Sequence, residues 1–450
     1  MIEFHSVSQS YRKVINSIAF YPSLIAIVFL ISALITLFFE YLEPVKLFEL
    51  HFSYVLVDSV ENARKILGIL IGSIISLTVF SFSMVMVVLN TASMNLSPRL
   101  VPGLISKKSH QLVLGFYLGS IIYSTIMLIN IDDVSSNHTI LDIPALGILF
   151  ALLQGLTSLV CFVYFIHSIS QTIQVDRVLN SLFSRTKNEM NALVELHQNQ
   201  DEVSSSKFEQ WHELQSNTSG YFKGVKTKQL CNILEREALS LYVCVKQGYF
   251  TVEGYPFLRC NKPIKNDTQL VEEILSCFIF YVEEYISDHY SYGMTQISEI
   301  AVKAMSPGIN DPGSAVKAID MLSLLLIKRM ELKNISVSSM QKNANSRLFF
   351  HEVSISELLH DNFTPIRHYA RGDAFVMENI LEAFKNMLFV TNGEGLVSEE
   401  IYRYLYAIIS DINKNIDNHY DREVLRNMLE AISRVNPEEG DKLLTYYDKK

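Results

Sequence analysis

Three groups of residues in this 450-residue chain are of types and spacings that could do chemistry. Gly72, Ser76, Ser83, Asn90 and Ser97 recur at intervals of four and seven in one long apolar stretch. On a straight helix that spacing keeps them in a stripe about 60° wide. Neutral hydroxyls and an amide aligned this way can replace part of an ion's hydration without a fixed charge to block it. Small residues at such intervals also let helices approach closely: Gly68-x-x-x-Gly72, Gly115-x-x-x-Gly119 and Gly147-x-x-x-Ala151-x-x-x-Gly155 all fit that pattern. Pore lining and helix packing are both open readings, and the polar continuation through Asn90, Thr91, Ser93, Asn95 and Ser97 keeps the first in play. Arg99 would either ring an inner pore mouth and favour anions or reach toward headgroups as a topology anchor.

The second group is the loop Ser306-Pro307-Gly308-Ile309-Asn310-Asp311-Pro312. Pro307 stops one helix, Gly308 supplies free φ, Asp311 is an N-cap for the next, and Pro312 takes the first helical position, where its missing N–H is harmless. Asn310 suits a left-handed turn. The alternative is an ion or small ligand held by Ser306, Asn310 and Asp311 at a helix N-terminus, or a hinge at the same place. The third group, His351, His360-Asp361, His368 and Asp373, has the composition of a metal-dependent phosphohydrolase site, but its spacings match no helix-face ligand pair. The bland reading is surface polarity with an Arg367–Asp373 neighbour pair. No phosphate-binding glycine loop, dinucleotide fingerprint or nucleophile elbow occurs, so the expectation is a non-enzyme without cofactors or bound metal.

The elements that must position these residues begin with four apolar runs, Leu24–Phe39, Ile66–Leu89, Leu112–Ile129 and Pro144–Ile166, none containing Asp, Glu, Lys or Arg. Each approaches the ~20 residues that span hydrocarbon. With no intramembrane acid, a proton-coupled carrier is disfavoured. The first run lacks a small-residue cleavage site and reads as retained. Arg12, Lys13, Arg99, Lys107, Lys108 and Arg177 fall on one side, which predicts both termini to be cytoplasmic, although Lys46, Arg64 and Lys65 weaken the contrast. The formal charge of −9, with no sustained basic run, argues against nucleic acid. Cys161, Cys231, Cys244, Cys260 and Cys277 are odd in number, lack close pairs and read as reduced thiols.

The expected organisation is a four-helix transmembrane domain over residues 1–170, a helical stalk and linker over 171–206, a cytoplasmic α+β domain with a small barrel-like or sheet unit over 207–362, and a helical subdomain over 363–450. Within the tail, Leu239–Lys246 reads as a strand, Leu270–Ile286 as an amphipathic helix, Thr295–Met305 and Gly313–Arg329 as helices flanking the Pro/Gly loop, and Arg347–Ile355 as a strand. Three helices are expected from Asp373 to about Asn436.

The Ser306–Pro312 loop resembles a signature like A-L-S-P-G-I-N-D-P carried by a bacterial family of predicted membrane proteins, domain of unknown function 2254. Further resemblance lies in Phe80-Ser81, Ser97-Pro98-Arg99-Leu100, Leu114-Gly115, Tyr164-Phe165-Ile166-His167, Ser219-Gly220-Tyr221, Ile300-Ala301, Ile366-Arg367 and Gly372-Asp373. The chain departs from the pattern at Glu284-Tyr285, where the family would have an Arg-Thr pair. The resemblance implies the architecture and no settled activity. The expected protein is a multi-pass component of the bacterial inner membrane, in contact with the lipid bilayer and forming a homo-oligomer. Its expected function is a channel-like passive path for an ion or small solute, gated by the cytoplasmic domain. The alternative is a membrane-anchored sensor or scaffold that binds a ligand or protein.

Overall fold

The computed structural model describes residues 19–40, 42, 56–57, 59–95, 108–131, 143–172, 174–197, 203–281, 289–337 and 346–449. They form two compact units, Met1–Arg177 and Val178–Lys450.

The first unit consists of α1 (Phe20–Glu40), α2 (Val60–Asn95), α3 (Lys108–Ile129) and α4 (Ala145–Thr172), each long and apolar enough to cross a membrane. At 1.5 Å per residue, the 36 residues of α2 extend about 54 Å, well beyond a ~30 Å hydrocarbon core. Its polar ends account for the excess: Lys65 pairs with Glu61 at 2.5 Å at one end, and Asn90–Asn95 close the other. Helix α3 packs against α1, α2 and α4 and is the most buried of the four. Where its glycines lie, the neighbours come close. A Cβ at Gly115 would collide with Ile25, one at Gly119 with Phe29, and on α4 one at Gly155 with Leu70. Polar links tie the ends together: Glu40 Oε1 accepts from the Leu146 N–H at 3.0 Å, and Arg64 donates to the Ile131 carbonyl at 3.1 Å.

Helix α5 (Val175–His197) carries the chain into the second unit and packs there on a later helix: Thr186 fills the space over Gly293, and Arg185 donates to Gln296 at 3.4 Å. Next come β1 (His212–Gln215), β2 (Gly220–Val225), α6 (Thr227–Glu237), β3 (Leu241–Val243), β4 (Phe250–Thr251), β5 (Pro256–Cys260), α7 (Thr268–Leu275) and β6 (Phe278–Tyr281). These are followed by α8 (Tyr290–Ala304), α9 (Pro312–Met330), β7 (Ile335–Val337) and β8 (Leu348–His351). The five-stranded sheet runs β1-β5-β3-β8-β7, with β3 and β8 parallel and the other pairs antiparallel. The three-stranded sheet β4-β2-β6 is antiparallel, with an irregularity between Phe222 and Gly224. Leu214, Leu230, Leu241, Phe257, Phe278 and Leu348 share one core. Five helices complete the chain: α10 (Ile355–Ala370), α11 (Ala374–Val390), α12 (Gly395–Asn415), α13 (His419–Ser433) and α14 (Pro437–Tyr447).

One element differs from its sequence pattern. The helix expected over Leu270–Ile286 ends at Leu275, and Phe278–Tyr281 pairs antiparallel with β2 instead; residues 282–286 lie outside the described range. Ile274, Phe278 and Tyr281 satisfy helical spacing, yet Phe-Ile-Phe-Tyr also alternates, and the strand sets Phe278 and Phe280 on one face against Phe257 and Phe222. Packing decides between two periodicities that a short run cannot separate.

Candidate functional site

In the membrane unit, Gly68, Gly72, Ser76, Ser83 and Asn90 all lie on the outward face of α2. Nothing described lies within 4 Å of a Cβ placed at Gly68 or Gly72. Ile69, Val79 and Met94 flank the stripe and are exposed too, whereas Leu67, Ile74 and Ser81 face the bundle. The Ser76 and Ser83 hydroxyls each donate to the carbonyl four residues earlier, Gly72 and Val79, at 2.9 Å. Their protons are thereby satisfied inside the helix, leaving the hydroxyl oxygens with acceptor capacity only. Glycines thus play two roles here: on α3 and α4 they seat neighbouring helices, and on α2 Gly68 and Gly72 meet none of the described residues. Ser83 also borders an apolar groove of about 470 Å³ between α1, α2 and α3, with Pro22, Phe82 and Leu118 among its walls. Ser97 and Arg99 lie outside the described residues.

In the second unit, the Ser306–Pro312 loop joins α8 to α9 as an exposed turn. Ser306 Oγ donates to the Lys303 carbonyl at 2.6 Å, and its own carbonyl accepts from Ile309 and Asn310 N–H at 3.0 Å each. Asn310 takes the left-handed conformation, φ 51°. Asp311 caps α9, accepting from Ser314 N–H at 3.1 Å and from Ser314 Oγ at 2.6 Å. Asp311→Ala is expected to lower stability by about 1 kcal/mol, the usual worth of an N-cap, readable as a shift in thermal midpoint.

The histidines and acids of 351–373 do not converge. Asp361 pairs with Lys246 at 2.8 Å. Asp373 caps α11 through the Val376 N–H at 3.1 Å, so the expected Arg367–Asp373 pair does not form; Arg367 reaches Asp411 at 3.3 Å and covers the Tyr404 ring. Helix capping fixes Asp373 at the α11 start, while Arg367 on α10 faces α12. Among the described residues, no three His, Cys, Asp or Glu side chains are grouped to hold a metal.

A cleft that sequence reasoning missed lies where α5, β2, α8, β7 and β8 meet, with a volume of about 540 Å³. Its floor is polar. Glu352 is 7% exposed; its Oε1 accepts from Ser336 Oγ at 2.9 Å, and its Oε2 stands 3.7 Å from His289 Nε2, beyond hydrogen-bond length. His289 caps α8, its Nδ1 accepting from the Ser291 N–H at 3.2 Å, which in the neutral ring leaves the proton on the nitrogen that faces Glu352. Behind this floor Arg329 is 1% exposed and donates to the Val353 carbonyl at 2.8 Å, the Leu332 carbonyl at 2.9 Å and Asn334 Oδ1 at 2.9 Å. Burial would raise the Glu352 carboxyl, but His289, Ser336 and the Arg329 charge together hold it below its ordinary value. Burial pushes the Tyr290 phenol far up, so it stays protonated; its hydroxyl lies near Arg329 and Glu352 without hydrogen-bond geometry to either.

Beside the cleft, His351, the Ser354 cap and Lys246 hold the Glu357 carboxyl at about 2. A depressed carboxylate stabilises the fold above its unfolded value near 4.5 and loses that contribution as pH falls toward 2. The side chain is 39% exposed, so the expected loss is screened to about 1 kcal/mol. Glu357→Gln should flatten the stability profile across that window in acid titrations followed by circular dichroism.

Four membrane helices carrying a soluble unit of helices and mixed sheets define a polytopic membrane protein. The chain belongs to the family described as predicted membrane protein (DUF2254), which matches residues 15–386. It is similar to an uncharacterised protein of Mycobacterium bovis and to one of Mycobacterium tuberculosis, each 23% identical over 333 residues. Those matches cover 71% of this chain and 63% of each relative's length. No solved structure matches.

Proposed function

We propose that this protein is a homo-oligomeric, channel-like component of the bacterial inner membrane with both termini cytoplasmic, its α2 faces gathered around a passive path for an ion or small solute. The observation that carries this reading is the outward stripe of Gly68, Gly72, Ser76, Ser83 and Asn90, which no described side chain covers. A close helix approach needs small residues, and a hydrated path needs oxygens, and this face offers both. Four charge-free helices seldom enclose water alone, so the path requires several subunits. The soluble unit supplies the gate. The reading invokes no catalysis and no cofactor.

Cysteine cross-linking tests the assembly. In a variant with the five native cysteines replaced, Ser83→Cys is expected to form intersubunit cross-links in native membranes, and Val160→Cys, on an exposed face of α4, far fewer. Equal cross-linking at both positions would place α2 in lipid and remove the reading. A second reading, a membrane-anchored sensor that binds through its soluble unit, is favoured by the polar cleft around Glu352. The Ser306, Asn310 and Asp311 side of that alternative has its hydrogen bonds directed within the turn.

A further inference from the structure

We infer that the cleft between α5 and the sheets is a binding site for a small organic cation, seated with its N–H groups on Glu352 and its body between Phe222 and Phe350. Three observations lead there. First, the cleft is of ligand size, about 540 Å³, within the range of ordinary small-molecule sites. Second, its floor holds two buried polar atoms with no hydrogen-bond partner among the described residues, Glu352 Oε2 and the Tyr290 hydroxyl. Such atoms are normally paired, and a carboxylate oxygen accepts only donors. Third, the described lining contains two carboxylates, Glu189 and Glu352, beside His289 and His351, and neither lysine nor arginine.

Arg329 sharpens the choice of ligand. Its charge adds to His289 and Ser336 in holding Glu352 below its ordinary value, yet its Nε and both terminal nitrogens donate to Val353, Leu332 and Asn334. The carboxylate is thus charge-compensated from behind, and in front its Oε2 faces His289 Nε2 at 3.7 Å, too far for a hydrogen bond, which leaves a position for an ammonium or amidinium head. A carboxylate or phosphate ligand would meet Glu352 with like charge. Phe222 and Phe350 on the walls suit an apolar body. The site goes beyond the channel reading, and its test reads binding alone.

The experiment is calorimetric titration of the full-length protein in detergent with benzamidinium, its neutral isostere benzamide and the anion benzoate. Benzamidinium is expected to bind with a Kd below about 1 mM and at least about tenfold more tightly than either isostere. Glu352→Gln should weaken it by about tenfold or more. Because Glu352 is buried, a second variant guards against misfolding: Ala192→Trp, at an exposed position of α5 on the cleft, should abolish binding with the fold intact. Absence of benzamidinium binding, equal binding of benzoate, or binding that survives Ala192→Trp would overturn the assignment.

Discussion

Replacing Arg329 with alanine is expected to destabilise the soluble unit by about 3–5 kcal/mol, the range for removing one member of a buried polar network. The guanidinium is 1% exposed and directs N–H groups at the Val353 and Leu332 carbonyls and at Asn334 Oδ1, all at 2.8–2.9 Å. Alanine leaves these three acceptors unpaired, opens a cavity the length of the side chain, and withdraws a positive charge that acts on buried Glu352. Arg329→Lys should recover only part of the loss, since an ammonium supplies charge without the planar fork. The single tryptophan, Trp211, stacks edge-on with Phe208 at 4.9 Å in the same unit and reports its unfolding. Denaturant titration of the full chain followed by Trp211 fluorescence checks the prediction; a midpoint unchanged in Arg329→Ala would contradict it.

Gly72→Leu and Gly119→Leu should part company. A side chain at Gly72 meets none of the described residues, and leucine suits a helix better than glycine, so the isolated subunit should be as stable as before or slightly more so. At Gly119 the new side chain strikes Phe29 and should weaken the bundle by about 1–3 kcal/mol. Assembly should respond in the opposite sense. If α2 faces meet across subunits, bulk at Gly72 separates them and lowers association by about tenfold or more, whereas surviving Gly119→Leu protein still has its α2 stripe clear. Thermal unfolding and the oligomer distribution in detergent separate the two effects. Full assembly of Gly72→Leu would show that this face is not an interface.

The membrane helices were legible because composition dictates them: no charge interrupts the four runs, and a helix is the one structure that satisfies the backbone of a single segment in hydrocarbon. The α8–α9 turn was legible as well, since Pro312 and Asp311 can each do little except start a helix where they stand. Strand β6 was not, because aromatic residues at 278, 280 and 281 satisfy both periods and only the facing β2 selects one. Neither was the cleft. His289, Ser336 and Glu352 come from three separate elements, and each is unremarkable in its local sequence. One signal was present: on α9 the buried series Ala315, Ile319, Leu322, Leu326 continues at helical spacing into Arg329. An arginine on the buried face of a helix requires partners, and following that requirement leads to Val353 and the floor of the cleft. The outward direction of the α2 stripe was likewise beyond sequence, because the small-residue spacing of α2 and of α3 is the same while their neighbours differ.

Ion flux through purified protein in liposomes under a salt gradient tests the central claim most directly, comparing wild type with Ser83→Leu. A conducting path along α2 predicts flux in wild type that Ser83→Leu lowers by about tenfold or more in protein that still assembles, because a hydroxyl oxygen is replaced by bulk at the middle of the stripe. Flux that is unchanged by the substitution, or an assembled wild-type protein that passes no ion, would contradict it.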